Sequence, residues 1–599
     1  MTPSLAEIPF LRGASPEALA AAEQEVEWFS LPGGWPLFEV GEEADSIYFV
    51  ASGALGAFRT LASGERRLLG YIRSGEPVGE MALITGERHS AAVYAVRDTE
   101  LLRLSRGAFN RLARAYPELM QSIARLMLAR TRPNRRRNPR TEPRVYTLIS
   151  TSPTIDLKLR ARALRDALAA VGKTCAIMSE DDAPEQAAGR LDALERTHDI
   201  VFLLTPIADN VWFRTCLRQA DRIWVMARAD ARPSVPLLPD DPSPARQLRL
   251  VDLILLHHGA DRQAASSEEW RASCDASRLF HWRGLNDDDC RRLARKVAGQ
   301  SVGLVLSGGG ARAYAHIGVI RALREAQVPI DQVGGTSMGA IVAACLAMGW
   351  DDDEIEMRIR KAFVETNPLG DYVLPVVALS RGRRVDDRLQ EHFGETLIED
   401  LHTPFFAIST NLVAGAPRVH KAGLLRKALR ASISLPGILP PVVDGEHGLL
   451  VDGAVLKNFP VDVMRALHRG AIIGVDVARR GSINPADFLA PPNFLGWVTQ
   501  HGLQSPPPIA SVLMRAATIS VDPWQGRERT DLLVTPEMPD VDLRDWRRFD
   551  EAVAAGYEAA VAALKRQPTI GKPVSEADRA AVEGQIPDMD ADFETEAAA

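Results

Sequence analysis

The chain has 599 residues, 46% of them apolar and 25% charged, with a formal net charge of −7. That length allows about four domains, or three if one is large, and the composition excludes wholesale disorder, collagen-like repetition and a coiled-coil rod. An acidic balance also argues against a dedicated nucleic-acid binder, which is ordinarily basic.

The five cysteines, Cys175, Cys216, Cys274, Cys290 and Cys345, form no CxxC pair and no disulfide framework, which fits a reducing compartment. The N-terminal MTPSLAEIPFLRG lacks the basic segment and apolar core of a signal peptide. The most apolar stretch of the later chain, Met338 to Trp350, is about 13 residues long, short of the roughly 20 that cross a bilayer. A cytoplasmic protein is expected, reaching a membrane only from the side, as a peripheral contact on its inner face.

In chain order, residues 1–130 begin with short alternating strands separated by glycines: SIYFVASGALGAF, RRLLGYI and SAAVYAVRDTELLRL. This predicts an antiparallel β-roll, followed by helical spacing from Ser105 to about Arg130. Residues 131–144, TRPNRRRNPRTEPR, carry three prolines and six arginines. The prolines exclude a continuous helix. A solvated linker is expected, with a basic patch touching anionic lipid or nucleic acid as the alternative.

Across residues 145–300, apolar strands (VYTLIS, DIVFLLT, DRIWVMA, VDLILLH) alternate with helical stretches such as LKLRARALRDALAAVG. That is the pattern of an α/β, Rossmann-like domain on a buried parallel sheet. Without a glycine-rich phosphate loop or grouped catalytic residues, it reads as a structural or regulatory spacer. Residues 301–568 form a second α/β unit, and 569–599 an acidic, frayed tail.

Three pieces of the second α/β unit carry chemistry. The apolar strand Leu304-Val305-Leu306 runs into Ser307-Gly308-Gly309-Gly310-Ala311-Arg312 and then a helix. Backbone N–H groups of such a turn, at a helix N-terminus, can hold a phosphate or an acyl-transfer oxyanion. The lysine and hydroxyl of a nucleotide loop are missing, and Ala313 stands at the sixth position of GxGxxG. Gly335-Thr336-Ser337-Met338-Gly339 fits the G-x-S-x-G nucleophile elbow, between a short strand predicted at 329–333 and a helix. Finally, the strand Leu449-Leu450-Val451 ends at Asp452-Gly453-Ala454, with Asn458-Phe459-Pro460 beyond. Asp452 is a turn aspartate or a general base for Ser337.

These motifs, in this order, resemble the patatin-like phospholipase family. The segments GGGARAYAHIGVIRAL, VGGTSMGA, RASISLPGILPP and LVDGAVLKNFP are similar to its neuropathy-target-esterase branch. The resemblance is strong over about 301–480 and implies a three-layer α/β hydrolase. It further implies cleavage of acyl esters of phospholipids or lysophospholipids by a Ser–Asp dyad without histidine. Carried over, Ser337 is the nucleophile, Asp452 its base, and the amides of Gly308, Gly309 and Gly310 the oxyanion hole. Arg312 matches a basic residue that orients the turn or meets an anionic head group. Ala313 replaces a glycine that is usual in the family. Its methyl requires only a helical φ, so activity is expected to survive.

A carboxylate is ordinarily a weak base near neutral pH, and desolvation strengthens it. A Ser–Asp–His triad would need His468 or His501, the histidines after Asp452 that could nominally serve, and neither lies in a recognisable motif. His316 reads as a packing or capping residue. No cofactor is called for, and no metal-ligand cluster is apparent, so calcium dependence is not expected.

Near the N-terminus, Gly79-Glu80 and Arg88-His89-Ser90 resemble the phosphate cassette of cyclic-nucleotide-binding domains. The resemblance places Glu80 on the ribose 2′-OH and an arginine on the cyclic phosphate. Here His89 occupies the arginine position and Arg88 the usual proline. Histidine lacks arginine's bidentate fork. A degenerate domain kept for packing, dimerisation or another ligand is therefore expected, with cyclic-nucleotide binding as the alternative. Phe488, Phe494, Leu495 and Trp497, in a proline-interrupted stretch, form either a core loop or an interfacial anchor. The leading function is hydrolysis of (lyso)phospholipid. The alternatives are a general carboxylesterase, a lipid-sensing scaffold and, less favoured, a cyclic-nucleotide-controlled transcription factor.

Overall fold

The computed structural model describes residues 15–571 except 61–65, 117–142, 183–186, 235–236, 239–249, 259–264, 285–286, 367–369, 372, 374–375, 446–447, 468–469, 479–523, 539–540 and 542–544. Most of the Pro/Arg linker, the stretch from Phe488 to Trp497, His468, His501 and all but the start of the acidic tail lie outside the described residues. The chain divides into two compact units, Met1–Ala298 and Gly299–Ala599. Among the described residues no helix is long and apolar enough to cross a membrane.

The first unit opens with two four-stranded antiparallel sheets, the expected β-roll. Val50, Leu55, Val93 and Leu101 close the core between the sheets, and the alternate residues Ile47, Phe49, Leu102 and Leu104 pack on Ala108, Phe109 and Leu112. Ser105 caps the helix Arg106–Ala115, its hydroxyl accepting the Ala108 N–H. The six-stranded sheet that follows is parallel throughout, in the order Cys175–Ser179, Ile200–Pro206, Val145–Ser150, Arg222–Arg228, Val251–His257, Arg278–Arg283.

Roll and parallel sheet share one compact unit, tied by a buried ionic junction. The fully buried Asp221 carboxylate accepts the Arg144 and Val145 amides at 2.7 and 3.1 Å. Arg73 and Arg97 of the roll approach it to 3.8 and 3.7 Å. Arg97 also grips Glu195 at 2.7 and 2.9 Å. Removing one partner would leave an uncompensated buried charge.

The second unit is built on an eight-stranded sheet. Its strands are β1 (Val302–Leu306), β2 (Gln332–Thr336), β3 (Phe405–Asn411), β4 (Ala416–His420), β5 (Val442–Asp444), β6 (Gly448–Asp452), β7 (Ala471–Val475) and β8 (Leu532–Val534). The order is β5-β6-β3-β2-β1-β7-β8, with β4 also on β3. Strands β3, β2, β1, β7 and β8 run parallel, whereas β4, β5 and β6 supply antiparallel pairs.

Alternation along the strands feeds two cores. Leu304 and Leu306 face helices α1 (Ala315–Glu325), α2 (Met338–Ala347), α3 (Asp352–Ile359), α4 (Arg383–Phe393) and α5 (Leu425–Ser432). Val305, Phe406 and Ile408 face helix α6 (Val461–Leu467). The result is a three-layer α/β/α arrangement. The C-terminal helix α7 (Phe549–Arg566) crosses α1 at two glycines. A Cβ on Gly318 would lie 1.9 Å from the Val553 carbonyl oxygen, and one on Gly556 1.9 Å from that of Ala315.

Candidate active site

The sequence places Ser337 between a strand and a helix, and the structure gives both, with β2 starting three residues later than expected. Two glycines lie inside β2, where strand propensity is poor. Packing requires them: a Cβ on Gly334 would meet the Phe406 ring at 2.3 Å, and one on Gly335 the Leu306 carbonyl oxygen at 2.6 Å. At Gly339 a Cβ would lie 2.3 Å from the Ser307 carbonyl oxygen. The elbow glycines thus let α2 press against the end of β1.

Ser337 sits at φ 56°, ψ −131°, a left-handed conformation that costs a non-glycine residue about 1–3 kcal/mol. Its amide donates to Ser432 Oγ at 2.9 Å, and Ser432 Oγ donates to the Ile408 carbonyl at 2.6 Å. The strained turn is therefore fastened to both α5 and β3.

Strand β3 also sets the distance to Asp452. Thr336 pairs with Ile408, and the next residue of β3, Ser409, pairs with Asp452 of β6. Consecutive positions of one strand thus bring together residues 115 apart in sequence. Ser337 Oγ donates to Asp452 Oδ2 at 2.7 Å. The other carboxylate oxygen accepts the Ala454 amide at 2.8 Å, and the Asp452 amide donates to the Ser434 carbonyl at 2.8 Å. No cation neutralises the carboxylate among the described residues, and it is fully buried. Burial pushes its pKa up to about 7, with the Ala454 and Ser337 hydrogen bonds pulling only partly back.

The glycine turn lies against this pair. A Cβ on Gly308 would fall 3.0 Å from Ser337 Cβ and 2.5 Å from Asn458 Oδ1, so only glycine allows the approach. The Gly308 amide is already donated to the Asn458 carbonyl at 3.3 Å, and Asn458 Nδ2 donates to the Gly308 carbonyl at 3.2 Å. Of the three expected oxyanion donors, Gly308 is thus the one whose amide is bonded to Asn458. Gly310 has φ 55°, a conformation glycine adopts without steric cost.

Arg312 is buried. Its Nε donates to the Val477 carbonyl at 2.8 Å, and Nη1 to those of Met538 and Val541 at 2.7 and 2.8 Å. Ala313 is fully buried in the short 3-10 turn Gly310–Tyr314 and is not among the residues with positive φ. His316 Nε2 contacts the Ser307 carbonyl oxygen at 2.8 Å, and burial pulls its pKa down to about 4. A neutral imidazole that ties helix α1 to the glycine turn fits its expected packing role. The sequence marks Asn458 beside Asp452 without giving it a role and does not mark Ser432, although the RASIS and KNFP segments around them carry the resemblance.

The cassette of the roll is different. Gly79 takes φ 85° at the start of the helix Glu80–Thr85, and Glu80 is buried in its first turn. His89 is buried and stacks on Phe38, with ring centroids 3.6 Å apart and planes 9° from parallel. Desolvation lowers its pKa, so the ring is neutral at pH 7. Arg88 is exposed and points to Gly41 and Glu43, with bonds of 2.7 and 2.9 Å, while Ser90 is exposed.

Comparison with known proteins matches both regions. A family described as patatin-like phospholipase matches residues 304–465, and one described as cyclic nucleotide-binding domain matches residues 28–116. A protein named as an uncharacterized NTE family protein of Mycobacterium tuberculosis is 33% identical over 587 residues, covering 95% of this chain and 97% of that protein. Patatin-like phospholipase domain-containing protein 6 of Homo sapiens is 28% identical over 607 residues, covering 89% of this chain and 44% of its own length. Among solved structures, the catabolite activator protein of Thermus thermophilus matches 27% of this chain and 67% of its own, at 31% identity and a TM-score of 0.20.

Proposed function

The chain belongs to the NTE family and is a patatin-like lipid-ester hydrolase, and from that premise we propose that it cleaves acyl esters of lysophospholipids or phospholipids through a Ser337–Asp452 dyad. The observation that carries this reading is the 2.7 Å hydrogen bond from Ser337 Oγ to a buried carboxylate that has no counter-ion among the described residues.

Asp452, ionised above about pH 7, takes the Ser337 proton as Oγ attacks the ester carbonyl carbon. The carbonyl oxygen becomes an oxyanion facing the Gly309 and Gly310 amides, and the positive end of α2 adds to their field. Collapse breaks the acyl–oxygen bond, and protonated Asp452 returns the proton to the leaving alkoxide. Water, deprotonated by Asp452, then attacks the acyl-enzyme, and the fatty acid leaves with Ser337 restored. A single carboxyl suffices for both transfers because its pKa lies near the working pH.

On the same reading the roll acts without an arginine–phosphate pair, since the stacked His89 fills that position. Peripheral contact with lipid follows from the substrate. The test is turnover of lysophosphatidylcholine and a short p-nitrophenyl ester by the wild type, Ser337→Ala and Asp452→Asn. Turnover of both substrates, lost in both variants, is expected. An Asp452→Asn protein as active as the wild type would remove the dyad, and ester turnover without lysophospholipid turnover would make the protein a general carboxylesterase.

A further inference from the structure

The turn that ends α5 touches both members of the dyad. Ser432 Oγ accepts the Ser337 amide at 2.9 Å, and two residues on, the Ser434 carbonyl accepts the Asp452 amide at 2.8 Å. The main chains of nucleophile and base therefore hang on a single turn. A change in its shape moves one amide relative to the other, and with them the 2.7 Å bond between the two side chains.

Arg430, in the last turn of α5, braces this segment. Its side chain is only 11% exposed. Nη1 donates to Ser434 Oγ at 2.5 Å, Nε to Asp386 Oδ1 of α4 at 2.8 Å, and Nη2 to the Pro440 carbonyl at 3.4 Å. Ser434 Oγ donates in turn to the Arg430 carbonyl at 2.7 Å, so the side chain and main chain of Arg430 close on the same hydroxyl. One planar guanidinium thus joins the end of α5, helix α4 and the segment that leads into β5. A flexible lysine, with a point charge in place of the fork, could not fix three directions at once.

We infer that Arg430 is a positioning residue for the dyad: by clamping Ser434 to α4 it holds the Asp452 main chain where the carboxylate can take the Ser337 proton. The inference rests on the Ser337–Asp452 reading. Arg430 bonds to neither side chain of the dyad and acts through Ser434 alone. A misplacement of about 1 Å between reacting groups costs about 10²-fold in rate. Arg430→Ala should therefore lower kcat by about 10²-fold and leave KM within about threefold, since no contact it loses is with substrate.

The pH profile carries a second signature. Burial raises the Asp452 pKa, the Ala454 and Ser337 bonds lower it, and no charged side chain acts on it among the described residues. Lengthening the Ser337 bond weakens a cause that lowers the pKa, so the acid limb of kcat/KM should move to higher pH in Arg430→Ala.

The test is turnover of a short p-nitrophenyl ester across pH by full-length wild type, Arg430→Ala, Arg430→Lys, Asp386→Asn and Asp452→Asn. Arg430→Lys keeps a charge beside Asp386 and should recover part of kcat, while Asp386→Asn, at a carboxyl 56% exposed, should lose less than Arg430→Ala. Circular dichroism checks folding, and Ser434→Ala, which removes only the hydroxyl, decides by the same readouts if Arg430→Ala does not fold. A folded variant with wild-type kcat, or one whose loss lies in KM with the acid limb unmoved, overturns the inference. So does a lower urea midpoint with turnover intact, which would make the clamp purely structural. An Asp452→Asn protein as active as the wild type would instead overturn the dyad reading, and the same assay shows it independently of Arg430.

Discussion

The elbow at Ser337 and the cassette turn at Gly79 share a local design with opposite outcomes. Each joins a strand to a helix through one residue in left-handed conformation, φ 56° at Ser337 and φ 85° at Gly79. At the cassette the residue is glycine and the conformation is free of steric cost. At the elbow it is serine, and the strain is retained because a glycine there would have no Oγ. The polar groups follow the same division. Asp452 is buried with no cation beside it among the described residues and is left bonded to Ser337, whereas His89 is closed off by a Phe38 ring and Arg88 is turned to Glu43. Strain and an uncompensated charge persist in one turn and have been removed from the other, which points to chemistry at the first.

The largest effect that tests this contrast is on rate. Ser337→Ala and Asp452→Asn should each lower kcat by about 10⁶-fold, by analogy with serine hydrolases in which nucleophile and base act as a unit. The acid limb of kcat/KM should have an apparent pKa of about 7, that of the Asp452 carboxyl. An acid limb near pH 4 in the wild type would mean that Asp452 is not the titrating base.

Stability should show the same carboxyl from the other side. Its folded pKa is raised from 3.8 to about 7, so the folded state holds a proton that the unfolded chain releases across that interval. Stability is therefore fully present below about pH 4 and falls as pH rises towards 7, a contribution that integrates to roughly 4 kcal/mol. Asp452→Asn carries no such charge. It should unfold at a higher denaturant midpoint than the wild type at pH 8, with the gap closing at pH 4. A gap that stays constant with pH would show that the carboxyl is not desolvated.

How much of this was readable in the sequence depends on the range of the interaction. Glycines at 335 and 339 announce a tight turn, and apolar runs announce the strands, because both are local steric facts. The β2 boundary was misplaced because its glycines answer to Phe406 and to the Leu306 carbonyl, neither of which the local pattern contains. The edge strands Cys175–Ser179 and Arg278–Arg283 went unmarked because they alternate buried with partly exposed positions and so lack the unbroken apolar runs that announce the central strands. Arg312 was visible as a basic residue. Its function was not, because its three carbonyl partners lie 165 to 229 residues away. The roles of Ser432 and Asn458 were hidden for the same reason: nothing near them in sequence says that they hold an amide of the elbow and of the glycine turn.

That long-range anchoring gives the next effect in size. Arg312→Ala leaves three buried carbonyls without a donor and should cost about 3 kcal/mol or more, read as a lower urea midpoint, with turnover falling as the glycine turn loosens. Unchanged stability with weaker binding of anionic substrate would return Arg312 to a head-group role. Smaller still, Ser337→Gly should raise stability by about 1 kcal/mol while abolishing turnover, because glycine relieves the φ 56° strain. A destabilised Ser337→Gly protein would mean that the elbow stores no strain, and the contrast with Gly79 would lose its basis.

The smallest expected effect falls on the cassette. Arg88 and Glu43 are both exposed, so Arg88→Ala should change stability by less than about 1 kcal/mol. Cyclic AMP should leave the thermal midpoint of the wild type where it was. A ligand bound at a hundred times its Kd would stabilise the native state by about 2.7 kcal/mol, a shift well within reach of a thermal melt. The reason to expect none is geometric. The family's phosphate anchor needs a guanidinium inside the pocket, and here that position holds a neutral ring stacked at 3.6 Å on Phe38, while the nearest guanidinium in sequence faces outward. A melt that rises with cyclic AMP in the wild type and not in Arg88→Ala would show Arg88 swinging inward to replace the missing arginine. The cassette would then be a working site in a resting state, and the strain and charge kept at the elbow would no longer distinguish the active turn from the inert one.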